Sequence, residues 1–391
     1  MKKSLPFFIF LFLISCLGQM SSDLYLPALP TMRDFFQVSE HIVQLSLAIY
    51  MLGFSLSHLV YGSISDYVGR KNPLIVGLGI CLAGTLLCQL SHHIDALMIG
   101  RFLQGAGAGA GAALFLSILS DVYQGNALAK ISSFFIIARV ILLASSPLVG
   151  SYLLYFFGWR ACFTFLFFYT VICFLGSIFI FKETHLTAQP QTVSFSRIAK
   201  TLWILLTHPV FMCYAFCVML AFGGILAWLT ILPFLLQDVV GLTPIQFGSI
   251  SAVAGLFFII GGCINALWVE KMGFQKMLKI GLIIMLIGGA IMLAFGVSHV
   301  VNTIVIILPV IIYITGSSLI FSNAYAGAMQ SFSNVAGAAG AVFGFLQILG
   351  GAMASFFMSM TSTYNQIPLS LALLLSAALA LVVVRRQRTV F

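Results

Sequence analysis

The sequence predicts an all-α integral membrane protein of twelve spans, and three observations carry that expectation. Of its 391 residues, 61% are hydrophobic and only 7% are charged, whereas soluble domains sit near 45–50% and about 25%. The mean hydropathy is +1.13. Twelve apolar runs each reach the roughly 20 residues a helix needs to cross ~30 Å of hydrocarbon. The basic residues between those runs alternate sides with a strong bias. No stretch is polar enough to form a separate aqueous domain.

In chain order the runs cover 5–29, 41–63, 73–91, 95–120, 130–154, 160–181, 209–235, 245–268, 277–297, 300–321, 334–358 and 367–384. The first carries Leu13-Ile14-Ser15-Cys16 after Lys2-Lys3, a pattern similar to a lipoprotein cleavage site. The apolar run continues well past Cys16, so it reads as an uncleaved first helix. Spans four and eleven are dense in glycine and alanine from Gly105 to Ala113 and from Ala336 to Gly344. Small residues let helices approach closely in lipid, and they also leave the smooth surfaces that sliding helices need.

The longest polar interval is 182–208, and it divides the spans six and six. The expected organisation is a first six-helix bundle over 1–181, a central cytoplasmic loop over 182–208, and a second bundle over 209–391. Two echoes suggest duplication. Asp66 and Glu270 open similar loops 204 residues apart, and Leu26-Pro27 in span one returns as Leu232-Pro233 in span seven. Duplicated halves related by a pseudo-two-fold axis explain both.

With the N-terminus inside, one face collects Lys2, Lys3, Arg70, Lys71, Lys130, Lys182, Arg197, Lys200, Lys271, Lys276, Lys279, Arg385, Arg386 and Arg388; the other has Arg33 and Arg160. Fourteen against two is a positive-inside bias that places both termini in the cytoplasm. The net charge of +9 therefore reads as topology and attraction to membrane lipids, with no nucleic acid as partner. All eight cysteines fall inside apolar runs. Cys213 and Cys217 share a helix face, but nothing adds metal-ligand character, so they read as packing residues and no metal is expected. No Walker loop, G-x-S-x-G or H-E-x-x-H occurs, so an enzyme has no support.

Few ionisable groups remain at membrane depth: Asp23, Arg101, Arg139 and His58, all in the first half. Burying Asp or Arg mid-helix costs ~2.5–3.5 kcal/mol, which makes each a functional candidate. Asp23 precedes Pro30 by seven residues and Arg101 follows Asp95 by six. At ~1.5 Å per residue both lie ~10 Å below the outer helix ends. An acid whose neutral form is favoured by burial and whose charged form is favoured by a guanidinium can exchange a proton near neutral pH. The bland alternative is a structural pair tying span one to span four. Arg139 either meets an anionic part of a substrate or snorkels toward the cytoplasm. His58 reads as a hydrogen-bonded packing residue. Tyr25 and Tyr50 line a pocket, or Tyr25 belongs to the interfacial aromatic belt.

The loop Gly62-x-x-x-Asp66-x-x-Gly69-Arg70-Lys71 and the span-four sequence Arg101-x-x-Gln104-Gly105-x-Gly107 resemble motifs of the major facilitator superfamily. More narrowly, the chain resembles the Bcr/CflA branch of drug:proton antiporters. Asp23-x-Tyr25-Leu26-Pro27-Ala28-Leu29-Pro30, Val43-Gln44 through Tyr50, Gly53-Phe54, Tyr61-Gly62, Gly158-Trp159-Arg160 and Ala336-Gly337 through Gly344-Phe345-Leu346-Gln347 carry the likeness. It implies the major facilitator fold, twelve helices in two six-helix bundles. It implies roles for Asp23 and Arg101 in proton and substrate coupling, and for Gly62, Asp66, Gly69, Arg70 and Lys71 as a latch on the cytoplasmic side in the outward-open state. Gln347 joins Tyr25, Tyr50 and Arg139 as a pocket candidate. One departure stands out: the span-five antiporter motif G-P-x-x-G-G is Ser146-Pro147-Leu148-Val149-Gly150-Ser151 here, which puts the direction of transport in question.

The expected function is proton-coupled efflux of a small amphipathic substrate by alternating access. The protein would be a monomer in the bacterial inner membrane, driven by the proton gradient and using no cofactor. The alternatives are transport of an endogenous metabolite such as a siderophore, proton-linked uptake, or a membrane receptor that transports nothing.

Overall fold

The computed structural model describes residues 5–387 apart from 124, 185–194, 331 and 333–335. Lys2, Lys3 and Arg388 lie outside the described residues, as do the side chains of Lys130 and Arg197. The described chain is helical throughout: α1 (Leu5–Asp23), α2 (Leu29–Phe36), α3 (Glu40–Val68), α4 (Lys71–Leu90), α5 (Ile94–Val122), α6 (Gly125–Phe157), α7 (Arg160–Phe179), α8 (Phe195–Thr207), α9 (Pro209–Phe234), α10 (Pro244–Met272), α11 (Phe274–Val297), α12 (Thr303–Met329), α13 (Ala336–Ser359) and α14 (Ile367–Gln387). Among the described residues, twelve helical segments are long and apolar enough to cross a membrane, the first being α1 and α2 together, Leu5–Phe36.

Spans two and ten run on to Val68 and Met329, beyond the expected 63 and 321, and two further differences from the sequence expectation stand out. Span one runs to Phe36 rather than ending near residue 29, because the break at Leu26–Ala28 is a single 3₁₀ turn and not a stop. Pro27 and Pro30 explain the break: proline donates no N–H and crowds the preceding turn. Pro233 has a parallel effect in span seven, where α9 passes into a π-helical turn over Leu235–Val239. The Leu-Pro echoes thus mark matching departures from α geometry. The second difference is α8, a 13-residue helix inside the interval read as a loop.

Helix starts follow local chemistry. Thr243 and Gln246 form a reciprocal capping box at α10 with Pro244 beside it, and Asn302 accepts from the Val305 amide at α12. Below, the basic face is the one carrying Arg70, Lys71, Lys271 and Lys276; the far face carries the 37–39, 91–93 and 360–366 segments.

The two six-span sets meet along two antiparallel pairs. α3 runs against α13, with His58 facing Gly344 and Gly62 facing Ala341. α6 runs against α10, with Ala144 on Gly255 and Leu148 on Gly248. The far face is sealed by four ties between the halves. Arg33 Nη1 lies 2.6 Å from Asp238 Oδ2, and Gln237 Nε2 donates to Pro27 O at 3.1 Å. His41 Nδ1 donates to Ser359 O at 2.7 Å, and Thr363 Oγ1 donates to Glu40 Oε2 at 2.6 Å.

Candidate functional site

The most elaborate buried polar cluster is built where α1, α3 and α5 touch. Gly105 of α5 lies so close to the Tyr50 carbonyl of α3 that a β-carbon there would overlap it. That backbone approach lays Tyr50 over Arg101, one turn earlier on α5. The Arg101 guanidinium carbon stands 4.1 Å from the Tyr25 ring centroid and 4.2 Å from that of Tyr50, a cation held between two aromatic faces. Arg101 Nη1 donates to Ser21 O at 3.0 Å and to Gln104 Oε1 at 2.5 Å, and Gln104 Nε2 donates to Thr85 Oγ1 at 3.0 Å. The tyrosines are fixed in turn: Tyr50 OH donates to Gly18 O at 2.5 Å, and Tyr25 OH pairs with Ser46 Oγ at 2.9 Å. Arg101, Tyr25 and Tyr50 are all fully buried. Among the described residues two donors of the guanidinium, Nε and Nη2, have no hydrogen-bond partner, and neither has Ser21 Oγ.

Asp23 ends α1 on the same level and is also buried. Its carboxyl is held by neutral groups: Ser22 Oγ donates to Oδ1 at 2.5 Å, and Gln19 Nε2 reaches Oδ1 and Oδ2 at 3.1 and 3.3 Å. Among the described residues it forms no ion pair. The structural Asp–Arg pair that the sequence allowed is therefore absent in this arrangement, because the guanidinium is stacked between the tyrosines. The belt reading of Tyr25 falls as well: its ring is buried on Arg101. Neither tyrosine offers surface to a cavity in this arrangement.

The other candidates stand apart. Arg139 on α6 and Gln347 on α13 are half-buried, and no hydrogen bond or ion pair joins either to the Arg101 cluster. Among the described residues Arg139 Nε has no partner. His58 Nδ1 donates to Phe54 O at 3.0 Å and packs edge-on against the Phe54 ring, as a packing residue should. Sequence reasoning passed over one polar pair in the second half. Asn323 Nδ2 on α12 donates to Asn265 Oδ1 on α10 at 2.6 Å, with both residues buried. Amides across helices are known glue in lipid, but a search confined to ionisable groups does not see them.

On the basic face, Gly69 adopts φ +87°, where a β-carbon would be strained and would also strike the Glu183 carboxylate. This conformation starts α4 so that Glu183 Oε1 and Oε2 accept the Arg70 and Lys71 amides at 2.9 and 3.0 Å. The Arg70 side chain then folds inward, donating from Nη1 to Asp66 Oδ1 at 2.5 Å and Ser65 Oγ at 2.6 Å, and from Nε to Asp121 Oδ2 at 3.2 Å. Lys71 Nζ donates to Ile178 O at 3.1 Å. The network joins α3, α4, the end of α5 and the segment after α7, while Gly62 faces Ala341 of α13. Asp121 and Glu183 were missed by motif reading. Their signal was rarity, since the chain has nine acids in all.

Twelve spans in two sets of six, with polar clusters between helices and irregular backbone in spans one and seven, define a secondary-transporter architecture. The sequence profile of the Major Facilitator Superfamily matches residues 11–358, and the chain belongs to that family. It is 29% identical over 97% of its length to an uncharacterized MFS-type transporter, YdgK, of Bacillus subtilis, covering 94% of that protein. Multidrug resistance protein D of Escherichia coli is 27% identical, with 97% and 94% covered. A bicyclomycin resistance protein homolog of Haemophilus influenzae is 25% identical, with 92% and 90% covered. Among solved structures, a D-xylose-proton symporter superposes with a TM-score of 0.76 at 14% identity, over 97% of this chain and 96% of that one.

Proposed function

We propose that this chain is a proton-coupled exporter of small amphipathic compounds, working by alternating access in a bacterial inner membrane with both termini in the cytoplasm. The observation that carries the reading is a buried carboxyl, Asp23, held by neutral donors beside a guanidinium, Arg101, that keeps two buried N–H groups uncommitted. Such a pair has two low-energy arrangements. In one the acid is neutral and stays with Ser22 and Gln19. In the other it is charged and turns toward Arg101 or a cationic substrate group. A proton entering from the far face would favour the first, and release to the basic face the second. At 100 mV each charge moved contributes ~2.3 kcal/mol, enough to drive a substantial gradient without ATP. The names of the relatives, multidrug and bicyclomycin resistance, support a drug-like substrate. The site between the bundles would use Arg139 and Gln347 for contacts, with Tyr25 and Tyr50 uncovered when the halves rock.

The test is proton flux in everted vesicles on addition of candidate compounds. The parent protein should release protons on addition of a substrate, whereas Asp23→Asn should insert and express near normally and show no coupled flux. Coupled transport unchanged in that variant would remove the assignment. A second reading, uptake or exchange of an endogenous metabolite, is favoured by one observation: span five has Ser146 and Ser151 in place of the antiporter glycines, and Ser146 Oγ is buried without a partner. Flux in the opposite sense would select it.

A further inference from the structure

A cleft of about 700 Å³ opens on the outer surface of the first six spans, between α6 and α7. Leu153, Phe157, Phe165, Phe168, Tyr169 and Ile172 form its walls, and Arg160 stands at its mouth. From Arg160 to Ile172 is twelve residues of helix, ~18 Å, slightly more than half of a ~30 Å hydrocarbon core. The mouth is at the membrane surface: exposed Tyr152, Tyr155, Phe156 and Phe157 gather on the last turns of α6 beside it, as an interfacial belt does.

The charge at that mouth is uncompensated. Arg160 spends Nε on Gln89 O at 3.2 Å and one Nη2 hydrogen on Ser91 O at 2.8 Å, which fixes the guanidinium over the Phe35 and Trp159 rings. Among the described residues its Nη1 group donates to nothing. The other far-face base, Arg33, is neutralised by Asp34 and Asp238. Asp95, exposed at the start of α5, makes no ion pair with Arg160. Among the described residues Arg160 is therefore the one far-face Lys or Arg without an acidic partner. The other polar side chains of the cleft are already satisfied: Thr164 Oγ1 bonds Arg160 O and Gln89, and Tyr169 OH donates to Leu13 O.

We infer that this cleft is a binding site for an anionic phospholipid of the surrounding bilayer. The phosphate sits on the free edge of the Arg160 guanidinium, and one acyl chain runs down the aromatic wall toward Ile172. A planar guanidinium with free N–H groups suits phosphate oxygens, and a basic side chain near the surface favours an anionic headgroup about fivefold. The site is separate from the Asp23–Arg101 cluster and does not depend on the transport reading.

Native mass spectrometry of the detergent-purified protein, titrated with phosphatidylglycerol or phosphatidylcholine, tests it. The parent protein should retain one phosphatidylglycerol in preference to phosphatidylcholine, and Arg160→Gln should lower that occupancy about fivefold. Because Arg160 also braces the α4–α5 turn, a second variant, Ala161→Trp, fills the cleft while leaving the guanidinium in place. It should reduce retention of both lipids without loss of folded protein. Glycerol 3-phosphate, which has no acyl chain, should not compete. Equal retention of the two lipids, undiminished phosphatidylglycerol binding in both variants, or full competition by glycerol 3-phosphate would each overturn the assignment.

Discussion

A guanidinium fully removed from water is stable here only because its surroundings replace water in kind. Arg101 has two aromatic faces, a backbone carbonyl and the Gln104 amide oxygen around it, and each desolvated aromatic contact is worth about 2 kcal/mol. Lysine keeps the charge but not the planar fork. Arg101→Lys is expected to lower the transport rate at least about tenfold while leaving membrane insertion intact, read as substrate flux per folded transporter. An unaltered rate would mean that charge alone suffices. The charged members of the cluster stood out in the sequence because acids and bases at membrane depth are rare. The tyrosine sandwich did not, since 14% of the chain is aromatic and one ring looks like another until α3 and α5 are packed.

At the level of elements, the start of α4 shows how one carboxylate organises several helices. Glu183 accepts both Arg70 and Lys71 amides and so occupies the positive end of the α4 dipole. Glu183→Ala should destabilise the detergent-solubilised protein by about 1 kcal/mol, measured as a lowered melting midpoint. Gly69→Ala should cost more, about 1–3 kcal/mol, because the left-handed backbone and the carboxylate both oppose a β-carbon. Asp66→Asn keeps the shape of the last turn of α3 while weakening its hold on Arg70. It is expected to slow turnover more than it weakens substrate binding, and a loss of binding with turnover intact would contradict a conformational role. The loop motif was legible residue by residue. Its acceptors, Asp121 and Glu183, were not, because they lie 51 and 113 residues from Arg70 and only the fold brings them there.

For the molecule as a whole, the far face is where four polar contacts tie the two halves together. The Arg33–Asp238 pair at 2.6 Å is partly exposed, so its worth is under about 1 kcal/mol. That is still enough to move a balanced two-state equilibrium up to about fivefold. Spin labels at Ser39→Cys and Ser362→Cys, one on each half of the far face, should report a longer-distance population that grows in Asp238→Asn. An identical distance distribution in that variant would show that the seal rests on helix packing alone.

The sequence by itself determined the solvent of this protein and the plan that follows from it: apolar run length and basic-residue bias leave twelve helices in two similar sets, and rare charges mark the places where burial needs a reason. Tertiary structure alone decided the partners. Asp23 and Arg101 share a level without pairing, because Tyr25, just past the end of α1, and Tyr50 of α3 hold the guanidinium between their rings. Pro27 bends span one without ending it, because the chain beyond it finds α9 and Asp238 to hold. Local patterns report what each residue must be shielded from; only packing fixes which neighbour does the shielding.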